Sequence, residues 1–155
     1  MAAKTTATDS ERKDGKLLAF PMLASVKIYK GSTVVADATA RFAQTNDGAT
    51  ITLAAGDKFL GICAETMDNV GADGDEDVRV YRNGVHLLEF TDALTVADLG
   101  KPVLLNNVTD NGAVTVTSDS GNPEVQVGEI VEIVSASTAR VDIANAVGNL
   151  VADAA

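Results

Sequence analysis

The chain has 155 residues, which suits one domain able to bury about two-thirds of its unfolded surface. Aromatic residues make up 4% and Trp is absent, while Val, Thr, Ala and Gly dominate, as is typical of pleated sheets in an all-β fold. Residues 1–30 carry a net charge of +3 and the rest −13, which argues against a body that binds nucleic acid.

The sequence gives no sign of export or membrane insertion. Its one cysteine, Cys63, excludes an intrachain disulfide and does not indicate an oxidising compartment. No apolar segment of the secretory type opens the chain, and no apolar run approaches the roughly 20 residues that span a bilayer. We therefore expect a soluble protein that is made in a cytoplasm and has no membrane partner.

The first 23 residues fall into two parts. Residues 1–15 are small, polar and charged, so we expect them to be disordered unless a partner orders them. Residues 16–23 are densely apolar, and Pro21 excludes a helix interior and favours extended geometry at Phe20. Two interpretations remain: a first strand on the core, or an extended arm laid on a neighbouring subunit or on a partner protein. The arm would make contact through Lys16, Leu17, Leu18, Phe20, Pro21, Met22 and Leu23.

Short strand-like runs separated by turn residues follow. Residues 25–36 predict a hairpin that turns at Lys30-Gly31-Ser32, and Asn46-Asp47-Gly48 leads into an alternating run at residues 50–53. No amphipathic stretch of about 12 residues separates the runs, which favours a β-barrel or sandwich over an α/β fold.

The central region, residues 56–90, predicts a strand followed by a hairpin. Asn83-Gly84 lies between an alternating run at residues 78–81 and a returning run at 85–90. Asn and Gly both tolerate the positive φ of a type I′ turn, so we predict that the two runs pair across it.

The last third of the chain continues in the same way. Thr95 could cap a helical turn that ends at Gly100, and a strand follows at residues 102–105. Asn111-Gly112 predicts a turn, the β-branched content of residues 125–134 favours a strand, and residues 140–143 close the fold. The tail could be a mobile end, a last strand or a second contact segment.

The predicted core consists of the apolar members of these alternating runs. They are Val26, Ile28, Ile51, Leu53, Leu60, Ile62, Val78, Val80, Leu88, Val103, Leu105, Val114, Val116, Ile130, Val141 and Ile143.

The residues with catalytic or metal-binding potential do not form a recognisable constellation. His86, the single histidine, is interpreted as a surface or half-buried strand residue, and Cys63 as a small buried hydrophobe. The acidic run 73–77 resembles a calcium loop at its first positions, but Val78 and Gly84 stand where an EF-hand needs Gly and Glu. We therefore predict no catalytic residues, no metal site, no cofactor and no enzymatic activity.

The order of the motifs resembles the head decoration, or cement, proteins of tailed bacteriophages. The residues that carry the resemblance are Gly56-Asp57, Phe59-Leu60-Gly61-Ile62, Ala64-Glu65, Asp68-Asn69, Gly71-Ala72-Asp73-Gly74, Val78-Arg79-Val80, Arg82, Gly84-Val85, Ala97-Asp98-Leu99-Gly100-Lys101, Val127-Gly128-Glu129 and Val141-Asp142-Ile143. The resemblance covers roughly residues 26–144. Where the family often carries an aromatic residue near its last strand, this chain has Thr138-Ala139-Arg140.

The resemblance implies a structural protein of the virion, made in the host cytoplasm. Such a protein binds the outer surface of an assembled capsid and stabilises it by bridging subunits of the major capsid protein, as a homotrimer. Three regions are predicted: an N-terminal arm at residues 1–24, partly disordered when free; a decoration domain at 25–144; and a tail at 145–155. The alternative is a stand-alone ligand-binding or carbohydrate-binding β-domain.

Overall fold

The computed structural model of the chain describes residues 17–45, 53–106, 113–119, 121–144 and 146–153. Within these residues lie twelve β-strands and one short 3-10 helix, Val96–Asp98, and no α-helix. The strands are β1 Leu17–Pro21, β2 Val26–Ile28, β3 Thr33–Ala36, β4 Ala43–Gln44, β5 Lys58–Cys63, β6 Met67–Asn69, β7 Asp77–Tyr81, β8 Val85–Glu89, β9 Pro102–Asn106, β10 Pro123–Ile133, β11 Thr138–Asp142 and β12 Ala152–Asp153.

The strands form three antiparallel sheets, which confirms a small, single-domain, all-β fold. The first sheet has the order β1-β7-β5-β3-β4, and a bridge between Met22 and Ala43 brings the ends of β1 and β4 together. The second has the order β12-β10-β11-β8, with β9 also paired to β10, and the third pairs β2 with β6. The described strands do not close into a barrel.

Two hydrophobic cores lie on opposite faces of the first sheet. The larger core fills the space toward the second sheet and includes Val35 and Phe59. The smaller core lies toward the third sheet and includes Val34 and Leu60. Because neighbouring residues of β3 and β5 point into different cores, both strands are buried on both faces.

A bulge at Gly61 makes this arrangement possible. The pairing of β3 with β5 shifts register between Val34 and Val35, so Phe59 and Ile62 both reach the larger core. Gly61 has a φ of +146°, and a Cβ there would clash with the main-chain carbonyl of Tyr81. Only glycine fits this position.

The hairpin predicted at Asn83-Gly84 is wrong. β7 pairs with β1 and β5, whereas β8 pairs with β11, so the turn carries the chain from the first sheet to the second. Gly84 has a φ of +99°, but Asn83 lacks the positive φ of a type I′ turn. The Gly84 carbonyl instead accepts a hydrogen bond from Ile143 N at 3.1 Å, which ties the turn to the second sheet.

The hairpin predicted over residues 25–36 is also wrong. β2 pairs with β6 in the third sheet, while β3 pairs with β4 and β5 in the first. The turn at Gly31 is present, with a φ of +86°, but Gly31 N donates to the Cys63 carbonyl at 2.9 Å. Local turn chemistry therefore predicted the turn correctly and the strand partners incorrectly.

Most of the predicted core is buried. Val116 is only partly buried, and Ile51 lies outside the described residues, as do the predicted turns at residues 46–48 and 111–112. The core also contains residues that the prediction missed, among them Met22, Val35, Phe59, Val125 and Val127.

Both ends of the described chain pack onto the body. Residues 17–21 form β1 and Met22 is fully buried in the smaller core, so this segment is a first strand within its own sheet. In the tail, Ala146 and Val151 are buried in the larger core and β12 pairs with β10, so this part ends in a last strand. The boundaries between arm, domain and tail remain predictions.

The remaining local predictions agree with the structure. The turn after Thr95 is the 3-10 helix, in which the Asp98 carboxylate accepts a hydrogen bond from Thr95 N at 2.8 Å. Gly100 follows with a φ of +82°. Residues 125–134 belong largely to β10, and β11 covers most of the predicted closing strand.

Candidate docking surfaces

The predicted contact residues alternate between core and solvent, because they lie on a strand. Leu17 and Pro21 point outward, Leu18, Phe20 and Leu23 are half-buried, and Met22 is fully buried. Lys16 lies outside the described residues. The strand therefore offers a partner only one of its faces and its outer edge.

The exposed face of β1 continues onto β7. Leu17 pairs with Tyr81, and the two side chains are 37% and 41% exposed. On the opposite face of β1, the Arg82 guanidinium lies 5.4 Å from the centre of the Phe20 ring. Arg79 Nη2 forms an ion pair of 2.8 Å with Glu65. An apolar strip with flanking charges results, which we call the β1 surface: Leu17, Ala19, Pro21 and Tyr81.

The edge of β8 is a second exposed apolar feature, which the sequence analysis missed by placing this strand in a hairpin. Val85 and Leu87 are 53% and 54% exposed and lie on the outer strand of the second sheet. On the other face, Leu88 is buried in the larger core. The alternation of Val85, Leu87 and Glu89 with His86 and Leu88 is the signal that could have indicated a strand with one exposed face.

A groove of about 430 Å³ runs beside β8. It is lined by Leu87, Leu88 and Glu89 of β8, by the turn from Tyr29 to Ser32, and by Ala113 and Thr138. The Tyr29 ring is 53% exposed, with Lys27 Nζ 5.0 Å from its centre. The groove therefore combines apolar side chains with two charged residues, Lys30 and Glu89.

A third apolar region surrounds the 3-10 helix. Val96 is 81% exposed, and Leu99, Val131 and Val134 are each about half exposed. Two hydrogen bonds hold this helix against β10: Gly100 N to the Ile130 carbonyl at 3.0 Å, and Ile130 N to the Lys101 carbonyl at 3.1 Å. This region lies on the second sheet, apart from the β1 surface.

The acidic run 73–77 is exposed to solvent, and two of its carboxylates accept hydrogen bonds from main-chain amides. Asp73 accepts from Ala24 N at 2.8 Å and Asp75 from Ala72 N at 2.9 Å. The buried Asn69 amide donates to the carbonyls of Met22, Leu23 and Ala72 at 3.0–3.2 Å. These hydrogen bonds fasten the turn to the end of β1.

Two carboxylates organise the edge of the first sheet. Asp57 is buried and accepts from Ala38 N at 2.8 Å and Ala54 N at 3.0 Å, and burial raises its pKa. Burial also acts to raise the pKa of Asp37, but amides including Thr39, Ala40 and Phe42 outweigh it and lower the pKa overall. Both groups serve the structure of this loop.

His86 and Cys63 have structural surroundings. His86 is half-buried, its Nε2 lies 2.7 Å from the Asn83 carbonyl, and its ring lies 5.5 Å from that of Tyr81. Cys63 is buried in the smaller core, its Sγ donates to the Glu65 carbonyl at 2.9 Å, and burial raises its thiol pKa. In the part of the chain that the structure describes, the side-chain hydrogen bonds of both residues run to main-chain carbonyls.

Within the described residues, no group of three or more His, Cys, Asp or Glu side chains is arranged to hold a metal ion. Helices able to cross a membrane are also absent from that part of the chain.

No family model and no curated protein matches the chain. Among solved structures, the chain is similar to the head fiber gp8.5 N base of bacteriophage phi29, with 13% sequence identity and a TM-score of 0.49. The match covers 86% of this chain and 98% of that one. At this level the similarity concerns the course of the chain and does not assign a function.

Proposed function

We propose that this protein is a non-enzymatic structural component of a phage virion. It binds the outer surface of an assembled capsid and stabilises the capsid by bridging subunits of the major capsid protein. The sequence resemblance to decoration proteins supports this role. The acidic body, at −13 over residues 31–155, agrees with a protein partner and disfavours nucleic acid.

One structural observation carries the proposal: the outer strands of both large sheets expose apolar side chains along free edges. In the described residues, β1 pairs only with β7 apart from the single bridge at Met22, and β8 pairs only with β11 apart from a bridge at Phe90. Leu17 and Leu87 are exposed on these strands. Monomeric proteins usually protect such edges with charges or covering segments, so exposed apolar edges favour a protein that docks.

A homotrimer suits this role. A capsid presents its local symmetry axes as repeated sites, and a closed oligomer placed on an axis makes several equivalent contacts at once. The threefold number comes from the resemblance to decoration proteins. In this proposal the β1 surface and the residues before it bind the neighbouring subunit or the capsid protein.

The test uses purified capsids that lack this protein, to which the protein is added back. Leu17→Asp should weaken binding about 10- to 100-fold, because fully burying a leucine contributes about 1.5–3 kcal/mol. Val134→Asp is the matched control, since Val134 is also partly exposed but directly follows β10 of the second sheet. Occupancy by electron microscopy and the temperature of capsid rupture are the readouts. Equal binding by wild type and Leu17→Asp would place the contacts elsewhere, and no binding by wild type would contradict the function.

One observation favours the alternative function, a ligand-binding or carbohydrate-binding domain. Tyr29 is exposed beside the groove, and exposed tyrosines can stack on sugar rings. Titration with soluble oligosaccharides, followed by the tyrosine fluorescence of wild type and Tyr29→Ala, tests it. Saturable binding that the variant loses would support this alternative.

A further inference from the structure

The groove beside β8 offers unused main-chain hydrogen-bonding groups. Phe90 N donates to the Ser137 carbonyl at 2.8 Å, and Ile143 N donates to the Gly84 carbonyl at 3.1 Å. In an antiparallel pair these bonds recur at every second residue, so His86 and Leu88 face β11. The amides of Val85, Leu87 and Glu89 therefore face away from β11, and Leu87 and Glu89 line the groove.

This edge is partly closed at one end. The Glu89 carbonyl accepts a hydrogen bond from Val114 N at 3.0 Å, beyond which residues 113–115 cover the strand. Among the described residues, no hydrogen bond joins the groove-facing main chain of Leu87 to another segment. The open stretch therefore runs from Val85 to the amide of Glu89.

The shape of the groove selects a single extended segment. Its far wall is held in place by hydrogen bonds from Gly31 N to the Cys63 carbonyl at 2.9 Å and from Lys30 N to Thr66 Oγ1 at 3.0 Å. The edge of a folded sheet would have to enter between β8 and the turn from Tyr29 to Ser32. A lone strand can instead add to β8 through main-chain hydrogen bonds and place alternate side chains against Tyr29 and Leu87.

We propose that the groove binds residues 1–16 of a second copy of this chain, as an additional strand on β8. This inference rests on the proposed function, because it describes how copies join in the oligomer. Sixteen extended residues span about 53 Å, and β8 needs about 17 Å of strand. Residues 3–8 contain three threonines, which favour strands, and carry Lys4 without an acidic residue, which suits Glu89 and the acidic body.

The position of Leu17 favours a second copy over the same subunit. Leu17 pairs with Tyr81, the last residue of β7, so the straight continuation of β1 leads past the end of the first sheet. The far wall of the groove lies beside β3, across β7 and β5 from β1, a distance of about 14 Å at ordinary strand spacing. To reach its own groove the segment would have to reverse direction at Leu17.

Amide hydrogen exchange of the full-length protein tests the inference without any capsid. It is measured over a range of protein concentrations, and the molecular mass of the particles in solution gives the oligomeric state at each concentration. The amides of Leu87 and Glu89 should exchange at least tenfold more slowly in the oligomer than in the monomer. Those of His86 and Leu88 should be protected in both. Equal protection of Leu87 in the monomer would mean that the segment binds its own subunit, and no protection at any concentration would mean that the groove stays empty. Either result would overturn the inference.

Two variants locate the contact. Leu87→Pro removes the groove-facing amide and leaves the hydrogen bonds to β11, so it should remain monomeric, whereas Leu87→Ala keeps the amide and should still form oligomers. If Leu87→Pro fails to fold, the double variant Thr5→Pro and Ala7→Pro changes only the segment and should abolish the protection at Leu87. Oligomers that withstand the changes in the segment would contradict the inference. A wild-type protein that binds capsids without this protection would contradict the inference but not the proposed function.

Discussion

The two large sheets differ in how they use their faces. β3 and β5, in the first sheet, are buried on both faces between two cores. In the second sheet, β10 and β11 bury one face, and the other carries charged groups such as the ion pair between Arg140 and Glu132 at 3.3 Å. The first sheet is thus the structural centre, and substitutions on it should affect both cores. The second presents side chains to solvent, where substitutions should affect contacts more than folding.

The largest effect should follow from a substitution in the doubly buried strand. Phe59→Ala should lower the free energy of unfolding by about 3–5 kcal/mol, because Phe59 is fully buried in the larger core and the variant leaves a cavity. Val131→Ala, on the exposed face of the second sheet, should change it by less than about 0.5 kcal/mol. Urea unfolding measures both. Similar losses for the two variants would remove the distinction between the sheets.

A substitution at the bulge in β5 should destabilise the protein nearly as much as Phe59→Ala. Gly61→Ala should cost about 3 kcal/mol or more, because the new Cβ meets the Tyr81 carbonyl and the backbone has positive φ. The control is Gly121→Ala, where φ is +89°. Apart from the two chain neighbours, no heavy atom of a described residue lies within 4 Å of the added Cβ, so only the conformational cost of about 1–2 kcal/mol applies. Thermal unfolding of both variants gives the comparison. Equal losses would show that β5 shifts to accommodate the methyl group.

The smaller core can be tested separately through Asn69. Asn69→Ala removes the side-chain donor shared by the carbonyls of Met22, Leu23 and Ala72. The Met22 and Ala72 carbonyls keep main-chain donors, Gly74 N at 2.9 Å and Asp75 N at 3.1 Å, so the Leu23 carbonyl loses its partner and the variant should cost about 1–3 kcal/mol. Amide exchange should rise around β1 and the acidic turn more than in β10 and β11. A uniform rise across both sheets would indicate that the two cores unfold as one unit.

The smallest effect should appear in the pH dependence of stability. The folded pKa of Asp37 is lowered, so its contribution is complete above the unfolded pKa and is lost as the pH falls through the folded pKa. The stability advantage of wild type over Asp37→Asn should therefore shrink on acidification below about pH 4. The pKa of Asp57 is raised in the folded protein. The free energy of unfolding of wild type, relative to that of Asp57→Asn, should therefore increase as the pH falls through the folded pKa of Asp57. Urea titrations at several pH values measure both slopes, and slopes of the same sign would contradict these assignments.

The sequence by itself determined the local features of this protein. Period-two alternation predicted the burial of Val78, Val80, Val141 and Ile143, because a strand sends successive side chains to opposite faces. Turn residues predicted where the chain reverses, as at Gly31 and Gly84, because glycine accepts positive φ without strain. The composition, rich in Val and Thr, and the absence of a long amphipathic segment together predicted an all-β fold.

Only the tertiary structure decided which strands pair and which edges stay open. The dipeptide Asn83-Gly84 predicts a hairpin between β7 and β8. Instead, β7 pairs with β1, which lies about 60 residues earlier in the chain, and β8 pairs with β11, which lies about 50 residues later. Such pairings depend on the packing of two cores against one sheet. That packing involves residues far apart in the sequence, so a short segment cannot predict it. The same holds for the candidate surfaces: the alternation at β1 and β8 indicates one exposed face on each strand. That these strands end their sheets, and that the turn from Tyr29 to Ser32 faces β8 across a groove, follows from packing between residues distant in sequence.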